Sequence, residues 1–274
     1  MSKSTEELLR ELESGGVLNG GTAVALPKKR AAAPVHKGIA DSGVLMLVVA
    51  TILVAVVGAL PFGSTALYPF SLFVTLLHET GHAIATIATG GTVSSLQISS
   101  DLSGVTLTRG GTMALIAPAG YLGATLAGVG LLLLPLRWAR WAIGTLAAVP
   151  LATLLLFHPV DSFTAIWSLG FAAVLGVAAW KLPVRWLAFL QIFLGVEAGL
   201  NAFRDLLTLI FISGSNAHIQ TDAENMSRTL FLPATFWAVT WTVISVLLLV
   251  WALVVLVNRD VSRLRRPQRR EPSN

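Results

Sequence analysis

The amino-acid sequence predicts an all-α polytopic membrane protein with about six to seven transmembrane helices, and three observations predict it. Of 274 residues, 54% are hydrophobic and only 12% charged, against about 25% charged in an ordinary globular chain. The apolar residues fall into repeated runs, each near the ~20 residues that a helix needs to cross hydrocarbon. Basic residues flank the set, with Lys28, Lys29, Arg30 and Lys37 before the first run and a string of arginines from Arg259 to Arg270 after the last. Such clusters beside membrane segments face the cytoplasm and anionic lipid. No aromatic residues interleave the arginines, so a nucleic-acid partner is not expected.

Residues 1–41 read as a disordered cytoplasmic tail. Ser4, Thr5, Glu6 and Glu7 resemble a capping box that opens a short helix, and Gly15, Gly16, Gly20, Gly21 and Pro27 break any further periodicity. The first apolar run starts too far from Met1, and continues too long, for a secretory signal peptide. The membrane domain is expected over 42–258, with a basic tail over 259–274.

The runs are Val44 to Leu60, Tyr68 to Thr89, Met113 to Leu134, Trp138 to Phe157, Phe163 to Trp180, Trp186 to Ile212 and Leu232 to Val257. Seven crossings conflict with two basic termini on one side, which requires an even number. One segment should therefore be re-entrant or partial, and the short Pro-bounded runs around Pro135 to Pro183 are the expected place. Between the second and third runs the pattern changes. Val93 to Ser99 and Gly104 to Thr108 alternate roughly apolar with polar, joined by Asp101, Leu102 and Ser103. That is a β-hairpin signal, and its edge could take an extended substrate by strand addition.

The second run holds His78, Glu79, Thr80, Gly81 and His82. HExxH on a helix puts two imidazoles one turn apart on one face, spaced for one zinc ion, with Glu79 beside it as a base. The chain has no cysteine, so any further ligand must be His, Asp or Glu. In the sixth run Glu197, Asn201 and Asp205 share one helical face. Carboxylates inside hydrocarbon cost a few kcal/mol unless paired or ligating, which marks them as functional candidates. Asp205 is the first choice for the third ligand, with Asn201 and Glu197 as supporting or oxyanion-binding groups. Asp222, before the seventh run, is the alternative, and would need its loop to fold back over the site.

These motifs resemble the site-2 protease family of intramembrane zinc metalloproteases, and more closely its small bacterial and plant branch. The resemblance rests on His78 to His82, on Gly90-Gly91 and the hairpin, on Ala119 to Gly123, on Asn201 to Asp205, and on Thr221-Asp222-Ala223. It implies a Zn²⁺ cofactor held by His78, His82 and an aspartate, with Glu79 as base. It implies hydrolysis of a transmembrane protein substrate in the cell membrane. The Asn-Pro…Asp-Gly spelling of better-known members is absent around Asp205, which leaves Asp205 and Asp222 both open. A metal ion transporter and a non-catalytic homologue that binds membrane proteins are the rival readings. No inverted repeat supports the first, and the intact Glu79 argues against the second.

Overall fold

The computed structural model describes residues 42–157, 159–215 and 220–264. The expected N-terminal tail and most of the basic C-terminal tail lie outside the described residues. Every apolar run forms a helix. In chain order these are α1 (Gly43–Ala59), α2 (Gly63–Ala88), α3 (Met113–Leu133), α4 (Ala139–Leu156), α5 (Ser162–Lys181), α6 (Val184–Gly214) and, after the short α7 (Asp222–Leu230), α8 (Ala234–Leu264). Helices α3, α4, α5, α6 and α8 are long and apolar enough to cross a membrane. Helix α2, at 26 residues, has the length, and the polar side chains of its motif lower its hydropathy.

The printed contacts orient these helices. Helix α2 runs antiparallel to α3, with His82 against Ile116 and Val74 clustered with Ala124. The far end of α3 meets α8, where Arg259 donates to the Leu133 carbonyl. At that same end the Asp260 carboxylate accepts from Ser42 Oγ at 2.6 Å and from Val44 N at 2.9 Å, fastening the start of α1. Both ends of α1 therefore lie at one end of the bundle. Its 17 residues make a rod of about 25 Å, which slants across that end without traversing the bundle.

This corrects the expectation that the partial segment lies among the Pro-bounded runs. Those runs make α4 and α5, which pack on each other as a full-length antiparallel pair, with Arg140 of α4 donating to the Leu182 carbonyl after α5 at 3.0 Å. The partial segment is α1. Its run is the most uniformly apolar at its length, so composition alone could not single it out.

The hairpin forms as expected. Strand β1 (Thr92–Ile98) pairs antiparallel with β2 (Gly104–Arg109), Leu96 opposite Thr106, with an irregularity between Val93 and Ser95. At the tip Asp101 Oδ1 accepts from Ser103 N and Oγ at 3.0 and 2.6 Å, closing a tight turn, and Leu102 takes a left-handed φ of 71°. The hairpin then folds back along α2. Tyr68 Oη donates to the Ser100 carbonyl at 2.7 Å and Thr75 Oγ1 to the Leu102 carbonyl at 3.0 Å. Ile98 of β1 exchanges hydrogen bonds with Thr164 Oγ1 of α5, its N–H donating at 2.9 Å and its carbonyl accepting at 3.1 Å. Strand β2 is left with its outer edge toward a cleft.

Candidate metal centre

Helical spacing puts His78 and His82 on one face of α2, with Nε2 atoms 2.9 Å apart. The Asp222 carboxylate, on the first residue of α7, joins them at 3.4 Å from His78 Nε2 and 3.3 Å from His82 Nε2. These three residues offer donor atoms that all lie within 4.8 Å of one another. Two bonds of about 2.05 Å meeting at the tetrahedral angle separate their donor atoms by about 3.3 Å, the spacing a zinc ion requires. The donor set of two imidazoles and one carboxylate is also one that catalytic zinc uses. The residues fit the ion.

The surroundings aim these donors. His82 Nδ1 donates to the Ile116 carbonyl at 2.7 Å, which fixes the tautomer and leaves the Nε2 lone pair toward the ion. Burial pushes the Asp222 carboxyl up, but hydrogen bonds to His78 and His82 outweigh it and hold the group well below the usual carboxylate range. It stays ionised, as a ligand must. Two glycines make the space. A Cβ on Gly120 of α3 would run into Nε2 of both histidines, and a Cβ on Gly81 would strike the Ala119 backbone. The second variable position of HExxH is therefore a small residue because α3 crosses there.

Glu79 is buried, and Thr106 of β2 donates to its Oε2 at 2.6 Å. Gly104 lies so close that a Cβ would meet Glu79 Oε1 at 2.5 Å. The hairpin thus grips Glu79 directly, a contact that the sequence pattern did not reveal. Tyr121 is a second residue that the sequence reading missed. Its ring meets His78 edge-on at 4.4 Å and stacks on Trp241 at 5.9 Å, while its hydroxyl has no hydrogen-bond partner among the described residues. The chemical signal was available, as a lone tyrosine on the glycine-rich face of the third run.

A cleft of about 630 Å³ connects these groups, lined by His78, Glu79, Tyr121, Asp205, Asp222 and the length of β2. The residues expected on the sixth run separate. Asp205 lines the cleft but is not among the three clustered ligand atoms, a place that Asp222 takes. The chain between α6 and α8 does fold back, because Ala223 and Met226 bury against Ala117, Leu206 and Trp241. Asn201 does not reach the cleft. Its oxygen accepts from Ser71 Oγ at 3.3 Å and its amide donates to Glu197 Oε1 at 2.7 Å, inside the bundle. Glu197 is likewise buried there, 1% exposed.

A model of the Peptidase M50B-like family matches residues 44–252, which is most of the chain. The chain belongs to this family. That agrees with the resemblance to site-2 proteases and makes the protein, at family level, a membrane metallopeptidase. The matched range covers every residue of the metal centre and all of the crossing helices up to the last turns of α8. No curated protein and no solved structure matches the chain.

Proposed function

We propose that this M50B-like protein is a zinc endopeptidase that hydrolyses peptide bonds in or near the transmembrane segment of a membrane protein, with His78, His82 and Asp222 as ligands. One observation carries the reading. Two imidazoles, a carboxylate and an adjacent buried glutamate converge on one cleft within a bundle of apolar helices. Zinc held there supplies an electrophile that polarises the scissile carbonyl and makes a water acidic near neutral pH.

The chain's own residues do the rest. Glu79, held by Thr106, takes the proton from the attacking water and returns it to the leaving amine. Tyr121 lines the cleft, and in this reading its hydroxyl donates to the oxyanion as it develops. Helical substrate is shielded, since its backbone groups already bond to one another. It must unwind, and the free edge of β2 offers the backbone partners that an extended segment needs.

The test is cleavage of tagged single-span reporter helices, weakened at the centre by Gly and Pro, in proteoliposomes. Wild-type protein should cut them and bind one zinc, whereas Glu79→Gln should keep the zinc and lose the cutting. Cutting that survives Glu79→Gln, or wild-type protein without zinc after chelator-free purification, would refute the reading.

A further inference from the structure

We propose that Asp205 selects the substrate, by pairing with a lysine or arginine side chain carried close to the scissile bond of the segment being cut. For the cutting this rests on the protease reading; for the binding it rests on the cleft alone. Asp205 belongs to α6 and lines the cleft with His78, Tyr121 and Asp222, yet it is not one of the three clustered ligands. Its carboxylate is within electrostatic reach of His78 and Tyr121. Among the described residues it accepts no hydrogen bond and forms no ion pair. A carboxylate on a membrane-crossing helix is costly unless it is paired or ligating. Within this chain Asp205 is neither, and it stands exposed to the cleft.

The charge balance of the cleft says what the missing partner is. Its described lining carries three carboxylates, Glu79, Asp205 and Asp222, and no lysine or arginine. A divalent ion held by neutral imidazoles and Asp222 balances two of these charges, that of Asp222 and that of Glu79 beside it. Asp205 is the surplus. Arg204, its neighbour on the helix, lies outside the lining, is exposed, and forms no ion pair with it, so its attraction is screened by solvent. A cleft with low-dielectric walls and one surplus sign of charge concentrates the opposite sign. In a polypeptide segment that sign is carried by lysine and arginine.

The walls say what accompanies the basic residue. A segment paired with the free edge of β2 turns alternate side chains to opposite faces, and α6 supplies lining of two kinds. Asp205 and Thr208 are polar, whereas Leu209 and Ile212, one turn on, are apolar. The cleft therefore fits a segment in which one basic side chain stands beside apolar ones. That is the pattern found where a spanning helix gives way to its flanking basic residues.

The test uses the full-length protein in proteoliposomes and fluorescent reporter segments that differ at one position, which carries Lys, Gln or Glu. That position is moved residue by residue across the weakened centre. Preference is read as a ratio of kcat/KM where the reporters are cut, and as a ratio of Kd where they are not. At one register the Lys reporter should be favoured over its Gln twin by about 10-fold, the low end for a hydrogen bond to a charged group, and the Glu reporter should be disfavoured. Asp205→Asn should bring the Lys-to-Gln ratio close to one, and Asp205→Lys should turn the preference toward Glu. Zinc content verifies that each variant keeps its metal centre. A ratio near one at every register in the wild type, or a Lys preference that survives Asp205→Asn, overturns the proposal. Protein that binds the reporters with this preference but never cuts them would refute the protease reading and leave the selectivity standing.

Discussion

Gly120→Ala adds one methyl group at the point where α3 faces the two imidazoles. A Cβ essentially never lies within 3.0 Å of a neighbouring heavy atom, and this one would stand 2.5 Å from His82 Nε2 and closer still to His78 Nε2. Both rings must withdraw by half an ångström or more, beyond the tolerance of about 0.2 Å on metal–ligand distances. Loss of a mere outer partner of a ligand costs about 10–100-fold in metal affinity; displacement of two ligands should exceed that. Zinc affinity measured by chelator competition should therefore fall more than about 100-fold, and peptidase activity with it. The fold should persist, because alanine favours a helix over glycine by about 1 kcal/mol. Gly123→Ala is the matched control, since its Cβ would meet only the Gly81 Cα at 3.4 Å, an ordinary contact. Gly120→Ala protein that binds zinc as tightly as wild type would refute the placement of α3 over the ligands.

Other outcomes follow from the same geometry. Tyr121→Phe keeps the ring packed on His78 and Trp241 and removes only the hydroxyl, so kcat should drop about 10²–10³-fold, the usual effect of losing one oxyanion donor, with zinc content and KM unchanged. An unchanged kcat would remove Tyr121 from the chemistry. Thr106→Val deletes a hydrogen bond to a charged carboxylate, worth about 1.5–3 kcal/mol, and should lower kcat about 10–100-fold without changing bound zinc. Metal analysis of Asp222→Asn and Asp205→Asn should find zinc lost from the first and kept in the second; the reverse would restore Asp205 as the ligand.

Local pattern was enough for the parts of the fold that local pattern controls. The HExxH helix, both hairpin strands and the turn at Asp101 lie where residue spacing places them. The place of Asp222 beside the two histidines was harder to read, because nothing near it in sequence says that the chain turns back. That information resides in Ala223 and Met226 meeting residues on α3, α6 and α8. Asp205 looked the better ligand because a charge on an apolar helix is conspicuous, yet its position one turn past Asn201 carries it to the open cleft. Likewise α1 has the composition of a crossing helix, and only the Ser42–Asp260 contact discloses that it does not traverse the bundle. Thr106 and Gly104 were invisible as partners of Glu79, since strand alternation says which way a side chain points and not what waits there.

The position of Asp222 in the chain also sets an order of events during synthesis. His78, Glu79 and His82 are complete once α2 is made, but Asp222 arrives more than a hundred residues later. Its helix packs through Ala223 and Met226 on Ala238 and Trp241 of α8, which is synthesised later still. A nascent chain therefore lacks the carboxylate of the cluster through most of its insertion. The cluster of His78, His82 and Asp222 is complete only when α7 and α8 have joined the bundle.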